Sequence, residues 1–170
     1  GPELGRTGQP IPKVIYQIVS DKADIDPVIR KNMDELKSLN PGWDHVVFDE
    51  EDRQEYLQRN HPGRITKAYN TINPEYGAAR ADLFRYVLLH DKGGVYLDDK
   101  SSVVRPLDEI LRPDDEYVLS HWTTKDWSGE LDNEFGEFQQ WNIMCCPGHP
   151  FMKAVIESVL TNIENYDAEV

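Results

Sequence analysis

Long hydrophobic runs are absent. No stretch of the 170-residue chain approaches the roughly 20 apolar residues of a membrane span, and no signal peptide is visible at its start. That reads as a cytoplasmic protein with no membrane segment, or as a lumenal or secreted one from which a targeting segment has been removed. Cysteine is scarce: only Cys145 and Cys146 occur, side by side, where a mutual disulfide is strained. No metal-ligand spacing surrounds them, so they read as reduced thiols packing as small hydrophobes. Basic residues are also few. The 18 Lys+Arg against 31 Asp+Glu give a formal net charge of −13. Nucleic-acid binders cluster Lys and Arg, so a polyanion partner is excluded. There is no Asn-x-Ser/Thr acceptor site, no internal repeat and no low-complexity run.

What is present suits one folded domain. Hydrophobic residues make up 39% and aromatics 10%, too rich for a disordered chain. At this length a core forms without a disulfide staple. Residues 1–10, rich in Gly and Pro, read as a cloning remnant or flexible arm, leaving 11–170 as the domain. Charge is unevenly spread. The stretch Leu107 to Gln140 carries a net −8, whereas Arg64 to Arg105 carries +2. The basic segment is a candidate small-anion site, and the acidic one is expected to disfavour anionic acceptors.

Strands alternate with helices. Lys13–Val19 reads as a first strand. Asp26 caps a helix with Pro27 at its first position, running to Leu39. Trp43–Phe48 is a second strand, and Asp49 opens a helix with acids at its positive end. Ile65–Tyr69 is a helical turn. Asn73 and Pro74 are expected to open a helix to His90, ended by Gly93-Gly94. Val95–Leu97 is a short buried strand and Val103-Val104 is extended. Pro106–Leu111 is a helical turn, and Tyr117–Leu119 and Trp141–Cys145 are strands. Thr123–Phe135 is a loop, and Phe151–Ile163 an amphipathic helix. This order predicts an α/β fold, a mainly parallel central sheet flanked by helices. Ligands in such sheets sit at the carboxyl ends of strands, which points to the residues after Val19, after Leu97 and around Asn142.

The chemistry concentrates in Ala78–Lys100, AARADLFRYVLLHDKGGVYLDDK. Asp82 and Arg85 share a helix face. Asp98 and Asp99 stand where a buried strand ends, beside Arg and Lys. Carboxylates so placed can hold a hard cation that bridges a diphosphate and eases departure of a phosphate, and Lys100 can supply a point charge to the same end. Blander readings compete: an exposed Asp82–Arg85 pair of small value, and a turn at Asp98-Asp99.

The block ARADLFRYVLLHDKGGVYLDDK, with IPKVIYQIV before it and RPLDEIL and QQWNIMCCPGHPFM after it, resembles the sugar-transferase region containing the DXD motif. The resemblance is to glycosyltransferase family 32, relatives of the yeast mannosyltransferases, and more distantly to the large clostridial glucosylating toxins, and covers roughly Ile11 to Ile163. It implies a GT-A-type single domain, a UDP- or GDP-hexose donor, a carbohydrate or protein hydroxyl acceptor, Mn²⁺ or Mg²⁺, and retention of anomeric configuration. By position, Ile18 and Val19 would contact the nucleotide base. Asp82 would contact the donor's sugar hydroxyls, Arg85 its phosphates, and Tyr96 the ribose or phosphates. Asp98 would begin the metal-binding motif, and Asn142 would lie near the transferred sugar.

The motif's second aspartate is replaced by Lys100. Asp99 takes the middle position, which on an extended segment points the other way, although an irregular backbone can turn it inward. Three readings follow. Asp98, the diphosphate and another ligand hold the metal; or Lys100 replaces the metal; or the chain binds without transferring. The family usually continues past its last helix with a segment completing the donor site, so a chain ending at Val170 reads either as cut short or as lacking that tail. His121, Trp122 and Trp127 read as packing groups or sugar-stacking aromatics, His149 as structural, Trp43 as a core anchor, and Leu83, Tyr86 and Val87 as a buried stripe.

Overall fold

A computed structural model describes residues 7–101, 105–119 and 142–168. The expected loop at Thr123–Phe135, the extended Val103-Val104 pair, Trp141, and the aromatics His121, Trp122 and Trp127 lie outside the described residues.

Among the described residues five strands form one sheet: β1 (Val14–Ile18), β2 (Asp44–Phe48), β3 (Gly94–Leu97), β4 (Tyr117–Leu119) and β5 (Asn142–Cys145). Their spatial order is β2-β1-β3-β5-β4. β1 pairs in parallel with β2 and β3. β5 runs antiparallel to both β3 and β4, so four of the five strands point one way. The mainly parallel α/β sheet is therefore observed, with one reversed strand near its far edge. The reversal matters for the site: it brings the start of β5 to the end of β3, with Leu97 opposite Asn142.

Helices cover both faces. α1 (Pro27–Leu39) and α5 (Leu107–Ile110) lie on one side, α2 (Glu50–Asn60), α3 (Arg64–Thr71), α4 (Gly77–Lys92) and α6 (Pro150–Ala168) on the other. Two helix starts follow directly from capping chemistry. Asp26 accepts the Val28 N–H at 2.8 Å ahead of Pro27. Asp49 and Asp52 exchange side-chain-to-backbone bonds in a capping box at the start of α2. α6 buries Met152, Ile156 and Leu160 at a spacing of four and extends past the expected Ile163.

α4 begins three residues later than expected. The Asn73 side chain accepts the Glu75 N–H at 3.0 Å, and the Tyr76 N–H bonds the Asn73 carbonyl. Asn73 and Pro74 thus form a turn, and the helix opens at Gly77 without a side-chain cap. The middle of α4 is covered on all sides: Leu83 through Leu89 are all buried. Gly93 (φ +66°) ends it, and a Cβ there would lie 2.6 Å from Pro147 Cδ. At Gly94 (φ +129°) a Cβ would sit 2.7 Å from Val14 Cγ1. These two positions require glycine, and they let β3 lie flush against β1 and deliver Asp98 to the sheet end.

Cys145 and Cys146 are free, buried thiols, and burial pushes the Cys145 thiol up to about 12. Trp43 is buried with Nε1 donating to Asp108 at 3.2 Å. His149 is buried, accepts the Phe151 N–H and packs on Tyr117. Thr7 (N–H and hydroxyl) and Gly8 (N–H) donate to the Glu116 carboxylate. Among the described residues, no helix is long and apolar enough to cross a membrane.

Candidate active site

The sheet brings three chain segments to one corner: the end of β1 (Ile18, Val19), the end of β3 (Asp98 to Lys100) and the start of β5 (Asn142). α4 lies across this corner and contributes Asp82 and Arg85. Ile18 and Val19 are buried, and the Val19 N–H bonds the Phe48 carbonyl at 3.0 Å.

Arg85 is no exposed helix partner. Its side chain is 6% exposed and bonds Asp82 Oδ1 at 3.0 Å, while Asp82 is 45% exposed. The guanidinium lies 5.1 Å from the Tyr86 ring centroid and 5.4 Å from that of Tyr96. It also donates to the Tyr86 hydroxyl at 3.3 Å. Two aromatic faces and one carboxylate therefore hold a cation at the site in a single orientation. Tyr86, read from sequence as part of a buried stripe, is buried and in addition holds Arg85.

Asp98 and Asp99 do not follow strand alternation. The Ser101 N–H bonds the Asp98 carbonyl at 2.9 Å, and the Lys100 N–H bonds Asp98 Oδ1 at 2.9 Å. The chain turns at Asp98, so Asp99 is not carried to the opposite side; its carboxyl lies within hydrogen-bond reach of Asp98. Burial first, then Asp98 beside it, pushes the Asp99 carboxyl up to about 6. Asp82 is raised too, by burial and by Asp98, with Arg85 opposing. Burial likewise raises Tyr96, and Arg85, Asp98, Asp99 and Asp82 all act on it. The charges of Arg85 and Asp98 thus reach both Asp82 and Tyr96, which marks one electrostatic unit. Asn142 is buried, and its Oδ1 has no hydrogen-bond partner among the described residues.

Among the described residues, no three His, Cys, Asp or Glu side chains converge as a metal cage. The paired carboxylates of Asp98 and Asp99 nevertheless fit a hard cation, because Mg²⁺-type ions commonly take one or two carboxylates and fill their shell with phosphates and water. Like charge crowded at one point is also what a cation relieves.

The raised Asp99 carboxyl has a consequence for stability. The folded chain holds that proton more tightly than the unfolded chain, so the contribution is complete below about 3.8 and is lost as pH rises through about 6. Asp99→Asn should raise the thermal midpoint at pH 7 and change it little at pH 4. Equal shifts at both pH values would refute the assignment.

Sequence reasoning missed Gln17. It is 1% exposed in an otherwise apolar strand, and it touches both Asp98 and His45. A lone amide in VIYQI was the signal. An open groove of about 450 Å³ lies between β2 and α2, lined by Val46, Phe48, Tyr56 and Lys92 among others. Its lining includes none of the predicted site residues, and two of its three cations, Lys22 and Arg59, are already paired with Asp52 and Glu55.

Residues 26–117 match the family described as the glycosyltransferase sugar-binding region containing the DXD motif. The match takes in α4, β3 and the Asp98 turn, and the chain belongs to this family. Among its relatives is inositol phosphoceramide mannosyltransferase 3 of Schizosaccharomyces pombe, 26% identical over 159 residues, which cover 92% of this chain and 39% of the relative. Another is the initiation-specific alpha-1,6-mannosyltransferase of Candida albicans, 26% identical over 170 residues, which cover 89% of this chain and 43% of the relative. The chain thus spans about two-fifths of the length of these relatives. A solved structure, PaToxG glycosyltransferase, superposes with a TM-score of 0.65 at 14% identity, covering 92% of this chain and 62% of that one. It shares the fold.

Proposed function

We propose that this chain transfers a hexose from a nucleoside-diphosphate sugar to a hydroxyl acceptor, with retention of configuration and with Mn²⁺ or Mg²⁺. The observation that carries this reading is the grouping of Asp82, Arg85, Tyr96, Asp98 and Asp99 at one strand end. Asp98 and Asp99 would hold the divalent cation, which when bound offsets charge developing on the departing diphosphate. Arg85, fixed by its two tyrosines, would donate to the phosphates. Asp82 would accept from sugar hydroxyls, and Asn142, whose buried Oδ1 is unpartnered among the described residues, would lie near the transferred sugar. No general base is assigned, since the leaving phosphate can take the acceptor's proton on the same face of the sugar.

Calorimetry with UDP- and GDP-hexoses, with and without Mn²⁺, tests the reading. GDP-mannose is the first donor to try, because two relatives are mannosyltransferases by name. If no nucleotide sugar binds under either condition, the proposal falls. EDTA should weaken donor binding at least tenfold, while Lys100→Ala should weaken it less. The reverse pattern would mean that the lysine has taken over the cation's role. A second reading, binding without transfer, is favoured only by Lys100 at the motif's third position. Donor hydrolysis that disappears in Asp98→Ala would dismiss it.

A further inference from the structure

We propose that Gln17 is a positioning residue that holds the Asp98 turn in its cation- and donor-binding geometry, an inference that rests on the transferase reading. The β1–β3 ladder extends only to Tyr16 opposite Tyr96, and the β3–β5 ladder ends at Leu97 opposite Asn142. Asp98 therefore stands just beyond both ladders. Its carbonyl receives two hydrogen bonds, one from the Ser101 N–H at 2.9 Å and one from Gln17 Nε2 at 3.3 Å. The second is a side-chain extension of the strand pairing that has just run out.

The orientation of the amide is settled by chemistry. A carbonyl only accepts, so the Gln17 nitrogen must face Asp98 and its oxygen must face His45. His45 Nε2, 2.6 Å from Gln17 Oε1, must then carry a hydrogen and donate. The chain of bonds from β2 through β1 to the Asp98 turn is thereby directional, and both ends of a buried amide are used. An aliphatic residue would fill the same strand position without an amide to bury. The amide's cost is offset only by what it holds.

The test uses Gln17→Met, which keeps size and loses both bonds, and Gln17→Glu, which keeps an acceptor for His45 but opposes a carboxylate oxygen to the Asp98 carbonyl. In both, hydrogen exchange at the Ser101 amide should speed up about tenfold, and Mn²⁺-dependent binding of GDP-mannose should weaken about tenfold. The thermal midpoint of Gln17→Met should change little. Unchanged Ser101 protection in both variants would overturn the proposal whatever the donor does. Faster exchange with unaltered donor affinity would also overturn it, because the turn would then not govern the site. If the wild-type chain binds no nucleotide sugar and Ser101 still loses protection, the anchoring role stands and the transferase reading is what fails.

Discussion

Replacing Asp98 with asparagine should lower glycosyl transfer by about 10³-fold, roughly 4 kcal/mol of transition-state stabilisation. The substitution is chosen so that only charge is lost. Asparagine keeps an Oδ1 that can accept the Lys100 N–H, the bond that shapes the turn. The chain should fold as before, and its thermal midpoint should move by only a few degrees. Donor affinity in the presence of Mn²⁺ should fall along with turnover, since one of the two carboxylates proposed to hold the cation is gone. Initial rates of donor hydrolysis, the simplest transfer to water, measure the effect without knowledge of the acceptor. A rate within tenfold of wild type would remove Asp98 from the chemistry and with it the central element of the proposed mechanism.

Arg85→Met should separate function from stability. The guanidinium is buried, and taking such a charge out of water is costly even when it is paired. Its carboxylate partner, Asp82, is nearly half exposed and can return to solvent when the cation is removed. A methionine of similar length can fill the space between Tyr86 and Tyr96 and make sulfur–aromatic contacts there. The variant should therefore melt no lower than wild type, while transfer falls by about 10²-fold or more for want of a donor to the diphosphate. Arg85→Lys should also be impaired, because an ammonium lacks the planar fork that two ring faces hold in register. If Arg85→Met unfolds the protein, or if it retains most of its activity, the arginine is a structural group.

Local chemistry made much of the fold legible. Asp26-Pro27 and Asp49 through Asp52 announce their helices because a cap is written in consecutive residues. The start of α4 was less legible because Asn73 can either cap a helix or close a turn, and only the fate of the Glu75 N–H decides. The reversed direction of β5 could not be read from four residues, NIMC, which pair equally well either way. In the site, the side taken by Asp99 stayed open in the sequence, because alternation assumes a straight strand and the chain turns at Asp98. Asp82, Arg85, Tyr96 and Asp98 were legible through a long ordered block. Gln17 was not, because its role depends on β1 lying beside the end of β3, with Asp98 lying 81 residues away in sequence.

The enclosure of Leu83 through Leu89 in α4 bears on how the protein is made. A helix with one wet face can persist while its partners are still being synthesised, but Leu83 through Leu89 offer no such face. Part of their cover is α6, which the ribosome delivers well after β3. A nascent chain that has reached β3 thus carries Arg85 on a segment with nowhere to hide its apolar surface. Chaperone dependence should peak at that point of translation, and truncations that end before Asn142 should be recovered as insoluble protein.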